Sequence, residues 1–340
     1  MGSILVTGGT GFIGSHTCVE LLGHGHDVVV VDDFSNSSPA VVAHISRIAG
    51  RSFPHYEMDV CDRAALDAVF SSHDIEAIIH FAARKAPRES VQMPVEYYTT
   101  NLVSTINLLA AMQKFDVGRM VFSSSCSIYG ETQIVPIREE TPANPTNPYA
   151  RTKLICEEML ADACVRFPTW SVSALRYFNP TGAHESGDLG EDPHGIPVNV
   201  MPYIAQVAVG RLARLEIYGG DYPTADGTGV RDYVHVMDLA DAHRVALGQL
   251  DQPRGFRRYN IGTGIGTSVL ELVSYFEKAS GLQIPYEVVP RRPGDVPELV
   301  ASPRRAEAEL GWTSQRDVEA MCRDAWAFQS KHPSGISCHK

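Results

Sequence analysis

A tyrosine and a lysine four residues apart have the types and spacing that acid–base chemistry needs. Asn147 and Pro148 suit the cap and the first position of a helix that is predicted to extend to about Val165. Tyr149 and Lys153 then lie one turn apart on the same face. A phenol has a pKa of ~10 in water. The lysine ammonium and the positive end of the helix dipole are expected to lower the pKa of Tyr149, which would make it a base for an alcohol proton.

Three consecutive serines follow an apolar run and could assist that proton transfer. The carboxyl ends of strands in open α/β sheets line the ligand crevice, so one of Ser123, Ser124 and Ser125 is expected to face it. Ser125 is predicted to hydrogen-bond the reacting hydroxyl and to pass its proton to the tyrosine. The period of the strand does not decide which hydroxyl points inward, so Ser124 and Ser127 remain alternatives.

A glycine-rich turn near the N-terminus is typical of a dinucleotide site. The pattern G-x-x-G-x-x-G lies between a predicted strand at Ile4–Thr7 and a predicted helix at Phe12–Leu22. Glycines there permit a tight turn and a close approach of a pyrophosphate to the backbone, while the helix N-terminus offers free N–H groups. The turn residues predicted to contact the dinucleotide are Gly8, Gly11, Phe12, Ile13 and Gly14.

Acidic residues end two predicted strands and could hold the adenosine of that dinucleotide. Asp32 lies 18 residues beyond Gly14, where a carboxylate can accept both ribose hydroxyls and repel a 2′-phosphate. Since the first Lys or Arg in the chain is Arg47, no nearby cation offsets the repulsion, which favours NAD over NADP. Asp33 could share this role. Asp59 ends another strand and could either meet the adenine amino group or simply cap a turn.

Alternating strand and helix patterns supply the scaffold for these residues. The predicted strands are Ile4–Thr7, Val28–Val31, Tyr56–Asp59, Ala77–Phe81 and Arg119–Ser123, and helices such as Arg63–Phe70 and Pro94–Gln113 separate them. Repeated β–α units with right-handed crossovers predict an α/β fold built on a doubly wound, Rossmann-like parallel sheet.

The amino-acid composition of the sequence changes after about Phe178. Residues 179–203 are rich in Gly, Pro, Asn and Asp and are predicted to form a long ordered loop region, whereas a helix is predicted at Val269–Ser280. We therefore predict an NAD-binding domain at 1–178, with segments around 234–262 returning to it. A smaller, mixed α/β substrate domain is predicted at 179–340.

Composition excludes several classes of function. The chain has 340 residues and a net charge of −11, which disfavours nucleic acid or an anionic membrane as a partner. Seven cysteines without a C-x-x-C pair favour free thiols in the cytoplasm over a disulfide or metal site, and Cys126 is expected to be a spectator. Neither a signal peptide nor a membrane-spanning run is evident. A polyanionic ligand must then be held by a few local arginines.

Taken together, these motifs resemble those of the extended short-chain dehydrogenase/reductase superfamily, and within it those of the UDP-glucose 4-epimerases. The resemblance extends from Val6 to about Trp326. The segments that carry it include His80-Phe81-Ala82-Ala83, Ser123–Gly130, Pro148–Lys153, Arg176–Pro180, Met201–Gly210, Gly227–His235 and Arg291–Asp295.

The resemblance implies roles for residues at matching positions. Ser125, Tyr149 and Lys153 fall on the family's catalytic triad. The residues implied to bind substrate are Ser125 and Tyr149, Asn179 and Asn199 at the sugar diphosphate, Arg231 and Arg292 at the diphosphate, Tyr218 on uracil, Asp295 at the uridine ribose, and Leu299 beside the sugar. Further residues predicted to contact NAD are Val60, Phe81, Ala82, Ala83, Lys85, Asn101, Ser123, Tyr149, Lys153 and Tyr177.

The family mechanism implies removal of the O4 proton by Tyr149 and hydride transfer from C4 to NAD that stays bound. The 4-keto sugar then rotates about its diphosphate link and takes the hydride back on its other face. A homodimer through the helices at Pro94–Gln113 and Pro148–Val165 is also implied, although packing within one chain explains their apolar stripes equally well.

Two segments depart from the family pattern. Residues 83–88 read Ala-Arg-Lys-Ala-Pro-Arg, which is more basic than the family's usual Gly-x-Lys-Ala-Val-Gly. Leu299 stands where sugar-restricted members carry a tyrosine, and the smaller side chain predicts some activity on UDP-N-acetylglucosamine.

Three rival functions were weighed against epimerisation. A nucleotide-sugar dehydratase or decarboxylase needs an additional acid, and the place of that acid holds Cys126-Ser127. A simple dehydrogenase would release NADH. A non-catalytic NAD-binding module would not need Tyr149, Lys153 and the serines together.

Overall fold

Seven parallel strands form the central sheet. The glycine turn and the serines lie at the carboxyl ends of its strands. The computed structural model describes residues 2–193, 195–251, 254–292 and 294–336. Its strands are β1 (Ser3–Thr7), β2 (Val28–Asp32), β3 (His55–Glu57), β4 (Ile75–His80), β5 (Arg119–Ser125), β6 (Ser171–Tyr177), β7 (Asn179–Thr181), β8 (Leu215–Tyr218), β9 (Val230–His235), β10 (Gly255–Ile261), β11 (Gly266–Ser268), β12 (Tyr286–Val289) and β13 (Glu298–Leu299).

Helices cover both faces of that sheet. The α-helices of the described residues, including those of the smaller unit, are α1 (Phe12–Gly23), α2 (Ala40–Ala49), α3 (Arg63–Ser72), α4 (Pro87–Gln92), α5 (Pro94–Phe115), α6 (Pro148–Arg166), α7 (Val200–Ala208), α8 (Val236–Gly248), α9 (Val269–Ser280) and α10 (Val318–Lys331). The strand order is β10-β6-β5-β4-β1-β2-β3, with every pair parallel. The predicted α/β class with a doubly wound sheet is confirmed.

Burial explains why the strands are nearly continuous apolar runs. Ile4 and Val6 face α1 and α8, whereas Leu5 faces the side covered by α3, α5 and α6. Because helices cover both faces, most residues of a central strand are removed from water. The strand order reverses between β1 and β4, and a reversal of this kind opens a crevice at the carboxyl ends of those strands.

The second half of the chain builds a smaller unit and also returns to the large sheet. A mixed sheet of β7, β9, β11 and β13 and a pair of β8 and β12 pack with α7, α9 and α10. By contrast, β10 lies beside β6 at the edge of the large sheet, and α8 packs against α1. Segments distant in sequence therefore complete the first unit.

Two local expectations need correction. The strand expected at Tyr56–Asp59 ends at Glu57, because the Asp59 carboxylate accepts the N–H of Cys61 and turns the chain. The loop region expected at 179–203 begins with β7 and ends in the first turn of α7.

The described residues contain free cysteines and no membrane-spanning helix. The cysteines found there are all free, and they are Cys18, Cys61, Cys126, Cys156, Cys164 and Cys322. Cys338 lies outside the described residues. In the part of the chain that the structure describes, no helix has both the length and the apolar character needed to cross a bilayer.

Candidate active site

A cavity of about 390 Å³ lies between the carboxyl edge of the large sheet and the smaller unit. All nine residues predicted to bind substrate line it, although they come from widely separated parts of the chain. They are Ser125, Tyr149, Asn179, Asn199, Tyr218, Arg231, Arg292, Asp295 and Leu299. Of the predicted cofactor contacts, Phe12, Ile13, Lys85 and Tyr177 also line it.

Tyr149 lies at the buried end of this cavity, in the first turn of α6. The helix starts as predicted, since the Asn147 carboxamide oxygen accepts the N–H of Ala150 at 2.9 Å and Pro148 takes the first position. Only 9% of Tyr149 is exposed. Burial raises the pKa of its hydroxyl to about 12, although the nearby side chain of Ser125 acts in the opposite direction.

The expected lowering of the Tyr149 pKa by Lys153 is wrong for the chain by itself, because burial raises that pKa. Lys153 Nζ instead donates to the backbone oxygen of Ser123 at 2.6 Å and lies 5.0 Å from the ring centroid of Phe122. One turn further along α6, its side chain reaches the backbone of β5. Burial lowers the pKa of Lys153 to about 8, with Cys156 and Glu157 partly offsetting the effect. Lys153 is not among the groups that shift the pKa of Tyr149.

The structure distinguishes the three serine candidates. Ser125 is the one whose side chain acts on the pKa of Tyr149, and its hydroxyl lies 2.9 Å from that of Ser127. Ser124 donates its proton to Glu157 at 2.5 Å. The hydroxyl of Ser124 is therefore occupied by a structural bond, whereas Ser127 belongs to the surroundings of Ser125.

Behind the serines lies a buried polar network that sequence reasoning missed. Glu157 and Arg176 form an ion pair with N···O distances of 2.6 and 2.9 Å, and their side chains are 3% and 1% exposed. Arg176 also donates to the Tyr129 hydroxyl, which donates to Asn260 at 2.6 Å. The available signal was an arginine inside an otherwise uncharged strand, since such a residue needs a buried partner.

The glycine turn has the shape that a dinucleotide pyrophosphate needs. A Cβ at Gly14 would come within 2.2 Å of the oxygen of Gly8, and a Cβ at Gly8 would meet the nitrogen of Ala82 at 2.7 Å. No side chain caps α1, and no acceptor among the described residues faces the N–H groups of Phe12 and Ile13. Unpaired N–H groups at a helix N-terminus bind phosphate, so these residues fit the predicted cofactor.

Asp32 lies beside the glycine turn, whereas Asp33 is exposed. The Asp32 carboxylate accepts the backbone N–H of Thr10 at 3.0 Å and the hydroxyl of Ser37 at 3.2 Å. Asp33 pairs with Ser35. A small recess beside the turn is lined by Ser37 and also by Asn36, which sequence reasoning missed. The polar run after Asp33 was the available signal.

Further predicted cofactor contacts follow β3 and β4 or lie on α5. Phe81 and Ala82 pair with the end of β1, and Ala83 follows them. Val60 is buried beside Asp59, whose carboxylate caps the turn. Asn101 is buried, and its carboxamide pairs with both backbone groups of Arg84 and with the Thr152 hydroxyl. These contacts leave Asn101 as a residue that positions the loop at 84–88, and its contact with NAD stays a prediction.

The other end of the cavity is rich in cations and aromatic rings. The Arg292 guanidinium lies 3.5 Å from the ring centroid of Tyr218. Arg292 Nε and Asn179 Oδ1 are buried and lack a hydrogen-bond partner among the described residues. Since buried polar atoms are rarely left unpaired, both atoms indicate a polar ligand. Arg231 donates to the oxygen of Val230, and Asp295 lines the cavity nearby.

Comparisons with known proteins identify the family of the chain. A family model described as GDP-mannose 4,6 dehydratase matches residues 5–325. UDP-glucose 4-epimerase of Bacillus subtilis (strain 168) is 52% identical, over 98% of each chain. UDP-glucose 4-epimerase from Bifidobacterium longum, solved in complex with NAD+ and UDP, has a TM-score of 0.95 at 49% identity, with 98% of this chain and 99% of that chain covered.

A second solved relative has the same fold. UDP-glucose 4-epimerase from Stenotrophomonas maltophila, solved with bound NAD and formylated UDP-arabinopyranose, has a TM-score of 0.96 at 46% identity, with 98% of this chain and 99% of that chain covered. The doubly wound sheet, the glycine turn and the Ser-Tyr-Lys set define an enzyme of the extended short-chain dehydrogenase/reductase superfamily. Within that superfamily, the chain belongs to the UDP-glucose 4-epimerase family.

Proposed function

We propose that this chain interconverts UDP-glucose and UDP-galactose by inverting C4 of the sugar with tightly bound NAD. One observation carries the proposal: a single cavity is lined both by Ser125 and Tyr149 and by Arg231 and Arg292. The first pair suits proton transfer at a sugar hydroxyl. The second pair suits a diphosphate, because guanidinium groups bind phosphate oxygens with charge-assisted hydrogen bonds.

The glycine turn and Asp32 would hold NAD beside this cavity. Phe12 and Ile13 would donate backbone N–H groups to the pyrophosphate, and Asp32 would accept the hydroxyls of the adenosine ribose. When bound, oxidised NAD supplies a hydride acceptor for C4 and a positive charge on its nicotinamide ring. Every other part of the reaction is assigned to side chains of the chain.

Tyr149 is proposed as the base that removes the O4 proton, with Ser125 relaying it. In the chain alone the phenol is protonated near neutral pH, since burial holds its pKa near 12. A positive charge nearby lowers the pKa of a phenol. Tyr149 therefore becomes a base when oxidised NAD adds its charge to that of the first helical turn. Binding of cofactor and activation of the base are in this way coupled.

The lining of the cavity suits a sugar that must rotate between two hydride transfers. Around Ser125 it is neutral and largely apolar, with Cys126, Phe178 and Leu299 as neighbours. Burial raises the pKa of the Cys126 thiol to about 12, so this cysteine stays a neutral wall. The charged anchors Arg231 and Arg292 come from β9 and from the segment before β13. The nucleotide can therefore stay fixed while a 4-keto sugar rotates about its diphosphate link.

Leu299 supports a side activity on UDP-N-acetylglucosamine. It forms β13 with Glu298, pairs with Arg231 of β9, and presents a branched aliphatic side chain to the cavity. An N-acetyl group needs more room than a hydroxyl. The test is turnover of UDP-N-acetylglucosamine by the parent chain and by Leu299→Tyr, which should lose this activity while retaining UDP-galactose turnover. A parent enzyme that converts UDP-glucose and leaves the N-acetyl sugar untouched would reject the side activity.

A homodimer through α5 and α6 is supported by apolar side chains on the outside of these helices. Val95 and Ile106 on α5 are 70% and 50% exposed, and Val165 on α6 is 83% exposed. Sedimentation should show a dimer that Ile106→Lys weakens. A parent chain that sediments as a monomer at micromolar concentration would contradict this assignment.

A cytoplasmic location is proposed from the free thiols described above, because reduced cysteines are typical of that compartment. Fractionation of cells that express the chain tests this proposal. Recovery in a secreted or membrane fraction would reject it.

The decisive assay mixes purified protein with UDP-galactose and follows UDP-glucose, together with the absorbance of protein-bound NAD. Epimerisation without added cofactor is expected. Accumulation of free NADH would instead favour a dehydrogenase, and a deoxy-keto sugar product would favour a dehydratase. Unchanged epimerisation by Tyr149→Phe would remove Tyr149 from the reaction.

A further inference from the structure

The basic segment at residues 84–88 crosses from the large sheet towards the smaller unit. Arg88 follows Pro87 at the start of α4, and its guanidinium carbon lies 5.8 Å from the ring centroid of Tyr218 on β8. This separation is within the range of a cation–π contact. Pro87 itself lines the cavity. Arg88, which belongs to the unit with the large sheet, is thus placed on an aromatic ring at the opposite wall of the substrate site.

A second contact from the same segment reaches the same unit. Lys85 Nζ lies 3.6 Å from a carboxylate oxygen of Glu191, which also accepts the Asn199 carboxamide at 2.8 Å. Both Lys85 and Asn199 line the cavity. The segment therefore touches the smaller unit at two places, once at Glu191 and once at Tyr218.

The backbone of this segment is held firmly, so the position of Arg88 is not that of a free loop. The Asn101 carboxamide pairs with the N–H and the oxygen of Arg84. The Tyr97 hydroxyl accepts the N–H of Ala86 at 2.9 Å and donates to Glu89 at 2.6 Å. Residues on both sides of Arg88 are thereby fixed to α5.

The charges that line the cavity do not fully balance those of a nucleoside diphosphate sugar. Among the described residues that line the cavity, three cations, Lys85, Arg231 and Arg292, stand against the carboxylates of Glu216 and Asp295. Lys85 already faces Glu191. A nucleoside diphosphate sugar carries two negative charges, so the lining cations alone match it incompletely. Two further arginines lie beside lining rings at the nucleotide end: Arg291, which forms an ion pair with Asp221, and Arg88, which is exposed enough to move.

We propose that Arg88 is a nucleotide-binding residue that reaches across the cavity mouth. With a uridine diphosphate in the cavity, its guanidinium contacts the nucleotide beside Tyr218 and holds the two halves of the site together. The inference rests on the proposed function, because it takes a UDP-sugar as the ligand. Arg88 lies at the anchoring end, so it contributes to the binding of nucleotide and not to proton or hydride transfer.

The test compares Arg88→Ala with Arg84→Ala in the full-length, NAD-loaded enzyme. Arg84 is exposed on the same segment and does not line the cavity, which makes it the matched control. Arg88→Ala should raise the KM for UDP-galactose and the Kd for UDP about fivefold while kcat stays within about twofold. It should also flatten the dependence of KM on salt, since one attractive charge is lost. Arg88→Lys should keep the salt dependence and recover affinity only in part, because the planar stacking group is lost.

Direct titration with UDP separates the two proposals. A parent chain that binds UDP without epimerising UDP-galactose would overturn the proposed reaction, and the Kd values of Arg88→Ala and Arg84→Ala would still decide the role of Arg88. Equal Kd and salt dependence for Arg88→Ala and the parent would overturn the inference. A lower kcat together with a lower melting temperature would also overturn it, because that combination indicates a structural role.

Discussion

The two ends of the cavity solve different problems with different physics. Tyr149 and Lys153 are buried. Burial raises the pKa of the tyrosine and lowers the pKa of the lysine, so it favours the neutral form of both side chains. Around Arg231 and Arg292 the site is cationic, and it presents polar atoms that have no hydrogen-bond partner within the part of the chain that the structure describes. The first end is built for a proton transfer that an added positive charge switches on. The second is built to hold an anion.

This difference separates the chemical step from affinity. Substitutions at the buried end should act on kcat or on stability, whereas substitutions at the cationic end should act on KM. Binding that is equally strong in the ground state and the transition state changes KM alone. A variant at the buried end that changed only KM, or one at the cationic end that changed only kcat, would contradict this division.

The largest effect is expected for Tyr149→Phe. Without the phenol the O4 proton has no base, so kcat should fall about 10³-fold, a typical contribution of general acid–base catalysis. KM should change little, because the ring still fills the same space. Steady-state kinetics with UDP-galactose gives both values, and a variant that keeps a tenth of the parent kcat would exclude Tyr149 as the base.

Glu157→Gln should show that the buried end depends on the ion pair behind it. The change leaves the Arg176 guanidinium buried without its counter-charge, which costs about 3 kcal/mol in the free energy of unfolding. Urea denaturation measures this loss. The control is Glu158→Gln, an exposed neighbour on the same helix, which should stay within about 0.5 kcal/mol of the parent. Equal stability of the two variants would contradict the assigned role of the pair.

Arg231→Ala should sharpen the contrast from the cationic end. Loss of a charge-assisted hydrogen bond to the diphosphate is worth about 2 kcal/mol, so KM should rise about 30-fold with kcat within threefold of the parent. Arg258→Ala, an exposed arginine on β10 outside the cavity, is the control and should leave both constants unchanged. A fall in kcat at unchanged KM would reverse the division between the two ends.

The smallest effect concerns the pH dependence of stability. The pKa of Lys153 is lowered to about 8 in the folded chain, against ~10.4 in the unfolded chain. Between these values the unfolded state binds more protons, so stability should rise with pH. From pH 8 to 9 the gain should be about 1 kcal/mol in protein refolded without NAD. Lys153→Met should remove this gain, and an equal pH slope in both proteins would show that Lys153 is solvated.

The elements and the anchors of the site were largely predictable because their signals are local. Asn147 and Pro148 start α6 as expected, since a cap and a first helical turn depend on neighbours within a few residues. Gly8 and Gly14 likewise indicate a turn in which a side chain would collide with the backbone. The strand and helix patterns predict the doubly wound sheet for the same reason.

Contacts between distant segments were not predictable in this way. The Lys153 ammonium bonds to Ser123, the Glu157 carboxylate to Arg176, and Arg88 reaches Tyr218, yet no spacing in the sequence relates the members of these pairs. The expected influence of Lys153 on Tyr149 failed for this reason, because a shared helical face does not say which group the ammonium will reach.

The sequence by itself determined the class of fold, the dinucleotide turn and the helix that carries Tyr149, since each depends on residue type and short-range spacing. The residues of the nucleotide end were implied only by the resemblance to the family. Tertiary structure alone decided the direction in which the pKa values of Tyr149 and Lys153 shift, the choice of Ser125 over its neighbours, and the position of Arg88 across the cavity. The reason is physical: desolvation and charge pairing depend on which groups surround an atom in space, and those groups come from every part of the chain.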